Sequence, residues 1–300
     1  MTIEPPAPGE PRRPHGPRDP GDAWVVAPTG EKYWGRFGAA GLLALDPERG
    51  VLLQHRVSWS HFGGTWALPG GARHEGESAC DGALRESSEE AGVPVDAVRA
   101  RFESVLDLGV WSYSTLVADV TTPFEPVISD PESVALEWVP VDRVTQLPLH
   151  PGFAAAWPAL RGALHMRPAI VVDVANVVGS VPDGWWKDRA GAATRLVSKL
   201  SLLVERGVDA DLLGLSATRW FPRVIAVLEG QAKAAEPSAP TIDVRRAEGE
   251  GDDEIVAAVR EIAERFAPVI VVTSDRGLAA RVAEHGATVQ GTRWLLDQLD

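Results

Sequence analysis

Between Gly71 and Gly92 the chain reads GARHEGESACDGALRESSEEAG, which sets Gly71, Glu77, Arg85, Glu86, Glu89, Glu90 and Gly92 at fixed intervals within one short stretch. Glu77 to Ala91 contains no proline and only Gly82 as an interruption, and Gly92 stands where helices commonly stop, so the spacing predicts a helix over 77–91. On that helix Glu86 and Glu90 lie one turn apart with Glu89 between them, and three carboxylates crowd one face. Unpaired, they would repel one another. A hard divalent cation taking oxygen ligands removes that cost, and Mg2+ or Mn2+ suits both the ligands and a diphosphate-bearing substrate. Such an ion bridges phosphate oxygens and acidifies a water, which is hydrolytic chemistry. Arg85, four residues before Glu89, is placed to hold it. Taken alone, Glu86-Ser-Ser-Glu-Glu90 also reads as a solvated acidic helix face.

The elements that must position this helix are legible upstream and downstream. Ala39 to Leu45 and Val51 to His55 are apolar runs joined by Asp46-Pro-Glu-Arg-Gly50, a turn composition, so a hairpin feeds the site. Trp66-Ala-Leu-Pro-Gly-Gly71 then leads into the helix, and Glu137-Trp-Val-Pro140 with Leu147 and Pro148 supplies a closing strand and turn.

The seven residues and their intervals resemble the Nudix box, G-x5-E-x7-R-E-U-x-E-E-x-G-U with U a bulky aliphatic residue. At average residue frequencies of about 6–7% each, seven matches coincide on the order of once in a few hundred million starting positions, so chance is a poor explanation. Ser87 departs from the pattern, standing where an aliphatic residue is usual, which implies a looser contact under the helix and removes no ligand. The resemblance spans about residues 30 to 163 and implies an α/β/α sandwich that hydrolyses a diphosphate linkage in a nucleoside diphosphate derivative or nucleoside triphosphate. It implies Glu86, Glu89 and Glu90 as cation ligands and, with Arg85, as the catalytic set. Gly70, Gly71 and Arg56 are expected to contact the substrate. The Trp66 to Gly71 approach is similar to that of family members that remove oxidised triphosphates. His55, His61 and His74 surround this loop but lack metal-ligand spacing, which places them at the surface or the substrate rim.

Three hundred residues exceed the usual single-domain size, so two domains are expected. With 45% apolar residues and no apolar run near eighteen, the chain reads as soluble and without a membrane span. Residues 1–22 lack the apolar core of a secretory signal and read as a proline-rich, disordered leader. Cys80 is the single cysteine, which excludes an intrachain disulfide framework and fits a reducing cytoplasm. A net charge of -13 argues against broad electrostatic binding to nucleic acid and leaves room for a local basic surface.

From Pro168 onward the pattern changes. Ile170 to Val174, Val224 to Leu228 and Val269 to Val272 are short, Val- and Ile-rich and without alternation, as in buried parallel strands. Helices are expected over 188–205, 252–266, 277–284 and 293–299, which gives a Rossmann-like α/β layout with a parallel sheet. Asp173 ends the first strand, Glu229 and Asp275 follow the second and third, and Asp252 and Asp253 open a helix. In an open parallel sheet these acids collect at the carboxyl ends of the strands, where such folds bind ligands. The same acids also read as ordinary helix N-caps, Asp252 above all. Asp173-Val-Ala-Asn176, Gly251-Asp-Asp-Glu254 and Thr273-Ser-Asp-Arg276 resemble the NYN branch of the PIN-like nucleases. That resemblance implies Asp173, Asp253 and Asp275 as ligands of one or two divalent ions, Asn176 orienting an acid or a phosphate, and Glu229 standing where an aspartate is often found. Trp185-Trp-Lys-Asp-Arg189 and Arg219-Trp-Phe-Pro-Arg223 interleave aromatic and basic groups that could stack a single-stranded RNA; the other reading is that the tryptophans pack the mouth of the sheet.

The expected organisation is therefore a leader (1–22), a Nudix hydrolase domain (23–164) and an NYN/PIN-like domain (165–300) in one cytoplasmic protein. The alternative is a metal-dependent ribonuclease carrying a nucleotide-sensing, non-catalytic Nudix module. The complete set of box glutamates speaks for turnover.

Overall fold

The computed structural model describes residues 1–5, 21–182 and 184–299. The chain divides into two compact units, Met1–Leu164 with Ser216–Thr218, and His165–Leu215 with Arg219–Asp300.

The first unit contains, in chain order, β1 (Thr2–Glu4), β2 (Trp24–Val26), β3 (Lys32–Trp34), β4 (Ala39–Asp46), β5 (Gly50–Arg56), β6 (Trp66–Ala67), β7 (Gly70–Ala72), α1 (Ala79–Ala91), β8 (Val98–Asp107), β9 (Ser112–Val120), β10 (Ser133–Val139) and α2 (Pro151–Ala163). The reading of residues 1–22 as disordered is corrected at its start. Thr2 and Ile3 are β-branched and precede the first proline, and β1 pairs antiparallel with β2, which pairs with β3. Residues 6–20 lie outside the described residues.

A mixed sheet in the order β10-β5-β4-β9-β8 carries the site. The β4–β5 hairpin forms at the expected turn, where the Asp46 carboxylate accepts the backbone N–H groups of Glu48 and Arg49 at 2.9 Å each. The two strands pair only next to that turn, through Leu45↔Val51 and Asp46↔Gly50. Beyond it β4 pairs with β7 (Ala40↔Gly71, Gly41↔Gly70) and β5 pairs with β6 (Gln54↔Ala67, His55↔Trp66). The hairpin thus opens to receive Trp66–Ala72, and Gly70 and Gly71 lie inside the sheet.

The α1 helix packs over β4, β7 and β9. It begins two residues after Glu77, because Ser78 caps it by accepting the Asp81 N–H, and ends at Gly92, whose left-handed φ of 62° suits glycine. Its buried stripe is Gly82, Ala83, Glu86, Ser87, Glu90 and Ala91. Two glutamates therefore occupy positions that a helix of this kind normally gives to apolar side chains. The Ser87 hydroxyl donates to the Leu84 carbonyl at 3.0 Å, which satisfies it within the helix.

The second unit contains β11 (Ala169–Asp173), α3 (Val174–Gly179), α4 (Arg189–Arg206), β12 (Val208–Asp209), α5 (Ala210–Leu213), β13 (Arg219–Trp220), β14 (Arg223–Leu228), β15 (Asp243–Arg246), α6 (Gly251–Ile262), β16 (Val269–Val272), α7 (Arg276–Ala283), β17 (Thr288–Gln290) and α8 (Thr292–Leu296). Its sheet has the order β15-β14-β11-β16-β17 with every pairing parallel. Ala169, Val171, Ile225 and Val227 pack with Ile255, Val259, Leu278 and Val282 of α6 and α7. The alternate residues Ile170, Val172, Ala226 and Leu228 are equally buried, which explains why these strands read as unbroken apolar runs. β15 and β17 escape the sequence reading. They are edge strands, Asp-Val-Arg-Arg and Thr-Val-Gln, whose polar residues blunt the edge and hide the pattern. The first strand stops at Asp173 rather than Val174, because Asp173 caps α3.

Candidate active site

Arg85 organises the first unit's site. Its Nε donates to Glu77 Oε1 at 2.8 Å and Nη2 to Glu77 Oε2 at 3.0 Å, a two-pronged grip; Nη2 also donates to the Ala72 carbonyl at 3.0 Å. Nη1 donates to Glu86 Oε1 at 2.8 Å and to Glu89 Oε2 at 3.3 Å. The expected Arg85–Glu89 contact is present, but it is not the main one. Glu77, eight residues earlier in the preceding loop, is the better match for the planar fork, and Glu89 receives the longest contact. Burial opposes the Arg85 charge, but the Glu77 bond and the Glu86 charge outweigh it and push its pKa up. The same bond, against the opposing effect of burial and with help from the His74 N–H at 2.9 Å, holds Glu77 below the usual carboxylate range. His74 therefore contributes its backbone, and its loop sets Glu77 beneath the helix.

Glu86 rests on Gly71. A Cβ at that position would lie 2.6 Å from Glu86 Oε2 and 2.7 Å from its carboxyl carbon, so any side chain there would displace the carboxylate from this seat. Gly70 plays a different part: its N–H donates to Glu90 Oε2 at 2.9 Å. Glu90 is buried and its pKa is raised well above the ordinary value, first by burial, then by the charges of Glu86 and Asp130; the Gly70 bond and Arg56 oppose this. Glu89 differs from both, with a side chain 54% exposed. The three box glutamates are therefore not equivalent, and among the described residues no three acidic, histidine or cysteine side chains converge on a point that could hold a metal ion.

Around Glu90 lie groups that motif reasoning missed. Gln54 Nε2 reaches Glu90 Oε2 at 3.4 Å and Ser133 Oγ at 2.8 Å. The Tyr113 hydroxyl has its pKa raised, first by burial and then by the Glu90 charge, with Arg56 opposing. The available signal was a single polar residue, Gln54, in the apolar run Val51–Leu53, and a tyrosine at the start of the strand facing β4. Arg56 joins this region to an aromatic rim. Its Nε donates to the His61 carbonyl at 3.3 Å and its Nη2 lies 3.8 Å from Glu132. The His61 ring meets Trp24 and Phe62, and Phe62 meets His150, with centroids 5.4, 4.2 and 4.8 Å apart. Burial, then the Arg56 charge, lowers both imidazoles, His150 to about 4, so the rim is uncharged near neutrality. His55 stacks on Trp66 at 4.7 Å.

In the second unit Asp173, at the end of β11, accepts the Asn176 N–H at 3.0 Å and the Thr273 hydroxyl at 2.8 Å. Asn176 Oδ1 accepts the Ser274 N–H at 2.9 Å, tying the β11 and β16 ends together. Asp275 caps α7 by accepting the Leu278 N–H at 2.9 Å, and Glu229 accepts the Gly251 N–H at 2.8 Å at the start of α6. The cap reading thus holds for Asp173 and Asp275. It is corrected for Asp252, since residue 250 occupies the cap position and Glu229 reaches across to the helix start. Asp253, expected as a cation ligand, lies apart from these acids. It is 70% exposed and paired with Arg281 at 2.5 Å, whereas Asp252 lies close enough to Asp173 and Asp275 for their charges to matter: burial first, then Asp275 and Glu229, raise its pKa. Both carboxylates reach Arg281, Asp252 at 3.9 Å and Asp253 at 2.5 Å, and Asp252 is the one whose charge is also felt at the strand ends. Trp220 is fully buried, as the packing reading of the tryptophans requires, while Trp186 is 58% exposed.

The family model described as "NUDIX domain" matches residues 35–160. The chain is 49% identical over 156 residues to "Putative 8-oxo-dGTP diphosphatase 3" of Mycobacterium tuberculosis, covering 49% of this chain and 71% of that protein. It is 40% identical over 153 residues to a "Nucleoside triphosphate pyrophosphatase/Nudix hydrolase fusion protein" of Bifidobacterium longum, covering 48% of this chain and 32% of that one. A crystal structure of a Nudix hydrolase from M. smegmatis, RenU, shares 46% identity over 48% of this chain and 94% of its own, with a TM-score of 0.45. Box, helix and M. tuberculosis relative agree: the chain belongs to the Nudix hydrolase family.

Proposed function

We propose that the first domain, residues 23–164, cleaves a diphosphate linkage in a nucleoside triphosphate or nucleoside diphosphate derivative, with Mg2+ or Mn2+ held by Glu86, Glu89 and Glu90. The observation that carries this is the charge imbalance at the site. Glu77, Glu86 and Glu89 share one guanidinium whose donors are all taken, Glu90 lies on the same helix with no guanidinium bond of its own, and two of the four carboxylates, Glu86 and Glu90, are buried. An all-oxygen donor set with excess negative charge fits a hard divalent ion, once Glu89 exchanges its long Arg85 contact for the ion. When bound, that ion supplies positive charge to the phosphate oxygens and acidifies a water. Arg85 and Gly71 fix Glu86, and Gly70 fixes Glu90. Glu89 or Glu90 would take the proton of the attacking water. Arg56 would meet the phosphates, the Gly70 N–H being given to Glu90, and the uncharged rim of His61, Phe62 and His150 offers stacking to a base. The relative's name favours an oxidised purine triphosphate. Turnover of a nucleotide panel with and without Mg2+ tests the reading: Glu89→Gln and Glu90→Gln should each lose at least roughly 100-fold with the fold intact. Near-wild-type rates in both would sink it.

The second domain, residues 165–300, we read as NYN/PIN-like, supported by Asp173, Glu229, Asp252 and Asp275 standing near enough at the strand ends beside β11, where the strand order reverses, for their charges to influence one another. There Asp252 takes the part first given to Asp253, and single-stranded RNA is the proposed substrate. Residues 167–300 that bind no Mn2+ by calorimetry at millimolar metal would make the cluster structural. The single cysteine supports a cytoplasmic location. Among the described residues no helix is long and apolar enough to cross a membrane.

A further inference from the structure

Gln54 is fully buried on β5, directly after the apolar Val51–Leu53, and its Oε1 has no hydrogen-bond partner. Burying an amide with an unpaired oxygen costs stability that a methionine of similar size would avoid. The other end of the amide is engaged. Nε2 donates to Ser133 Oγ at 2.8 Å and lies 3.4 Å from Glu90 Oε2, the oxygen that also takes the Gly70 N–H at 2.9 Å. Donors from two strands thus converge on one carboxylate oxygen. Ser133 is itself specially placed: the register of β10 against β5 shifts between Ser133 and Ala135, an irregularity of the kind that re-aims a side chain beside a site.

We propose that Gln54 is a positioning residue: anchored by Ser133, its amide fixes Glu90 through Oε2 and leaves the second carboxylate oxygen to the divalent cation. The inference rests on the reading of Glu90 as a cation ligand. A buried group that orients a ligand typically contributes tenfold or more to metal affinity, although it never touches the metal.

The test is Mn2+ binding to the full-length chain, followed by electron paramagnetic resonance without nucleotide, beside steady-state kinetics and thermal melts. Gln54→Met should weaken Mn2+ binding roughly tenfold and lower kcat by a similar factor, with KM for the nucleotide within about twofold and no loss of melting temperature. Ser133→Ala should move both quantities in the same direction by less. Glu90→Gln serves as the reference. Wild-type Mn2+ affinity in Gln54→Met, with affinity lost in Glu90→Gln, overturns the positioning role and leaves the Glu90 reading standing. Wild-type affinity in Glu90→Gln overturns that reading and the proposal with it. Should Gln54→Met fail to fold, Gln54→Asn, whose shorter amide cannot span Ser133 and Glu90 together, carries the same expectation, and wild-type affinity there refutes it.

Discussion

Replacing Gly71 by alanine should separate activity from stability. Gly71 lies in a strand and needs no left-handed conformation, so the added methyl brings no backbone strain and removes some freedom from the unfolded chain, a gain of about 0.4–1 kcal/mol. The cost falls on Glu86. The new Cβ would stand 2.6 Å from Oε2, 2.7 Å from Cδ and 2.9 Å from Oε1, whereas ordinary contacts begin near ~3.5 Å, so the carboxylate must retreat by roughly 1 Å. It cannot retreat freely, because Arg85 Nη1 holds it at 2.8 Å and it is buried. Weakening one charged hydrogen bond costs about 1.5–3 kcal/mol at most, which the chain-entropy gain partly offsets. Net stability should therefore fall by no more than about 2.6 kcal/mol, while a displacement of about 1 Å in a catalytic group can cost roughly 100-fold in rate. Steady-state nucleotide hydrolysis and thermal unfolding, measured on the same preparation, check both. A Gly71→Ala protein turning over within threefold of wild type would show that Glu86 is not held where the chemistry needs it.

Arg85→Lys keeps the charge but loses the fork on Glu77 and the bond to Ala72; turnover should drop at least roughly tenfold and stability by about 1–3 kcal/mol, and a variant matching wild type in rate and melting would refute the hub. His150 has a folded pKa of about 4 against an ordinary 6.5, so its contribution to stability is complete above about 6.5 and is lost as pH falls through about 4. His150→Asn keeps a helix cap while removing that titration; melts between pH 7.5 and 4.5 should show a shallower fall than wild type, and equal slopes would reject the assignment. A fragment ending at Leu164 retains the carbonyl that accepts from buried Arg101 but loses Thr218, whose N–H donates to the Glu103 carbonyl and whose hydroxyl accepts from the Val105 N–H. Water can replace both bonds, so the melting temperature should fall by only a few degrees, about 2–4 °C per kcal/mol, with pyrophosphohydrolase turnover kept. Aggregation or inactivity of the folded fragment would show that the first unit needs more of the chain.

The box could be read from sequence because its residues sit on one helix and the loop before it. Intervals there translate directly into faces, so the pairing of Glu86 with Glu90 and the stop at Gly92 follow from helical period and glycine chemistry alone. The parallel strands of the second half were legible for a similar reason, since burial on both faces leaves an unbroken apolar run. What lies between elements was not. That Arg85 grips Glu77 depends on the turn of the loop at His74, and that Gly71 is a seat for Glu86 depends on β7 entering the opened β4–β5 hairpin. Gln54, Ser133 and Tyr113 come to Glu90 from strands whose separations in sequence carry no period, and the difference between Asp252 and Asp253 is one of angle about a helix whose rotation the packing of α6 on the sheet decides. Local geometry is set by neighbours in the chain, but the protonation, exposure and partners of each carboxylate are set by what packing brings within a few ångströms of it.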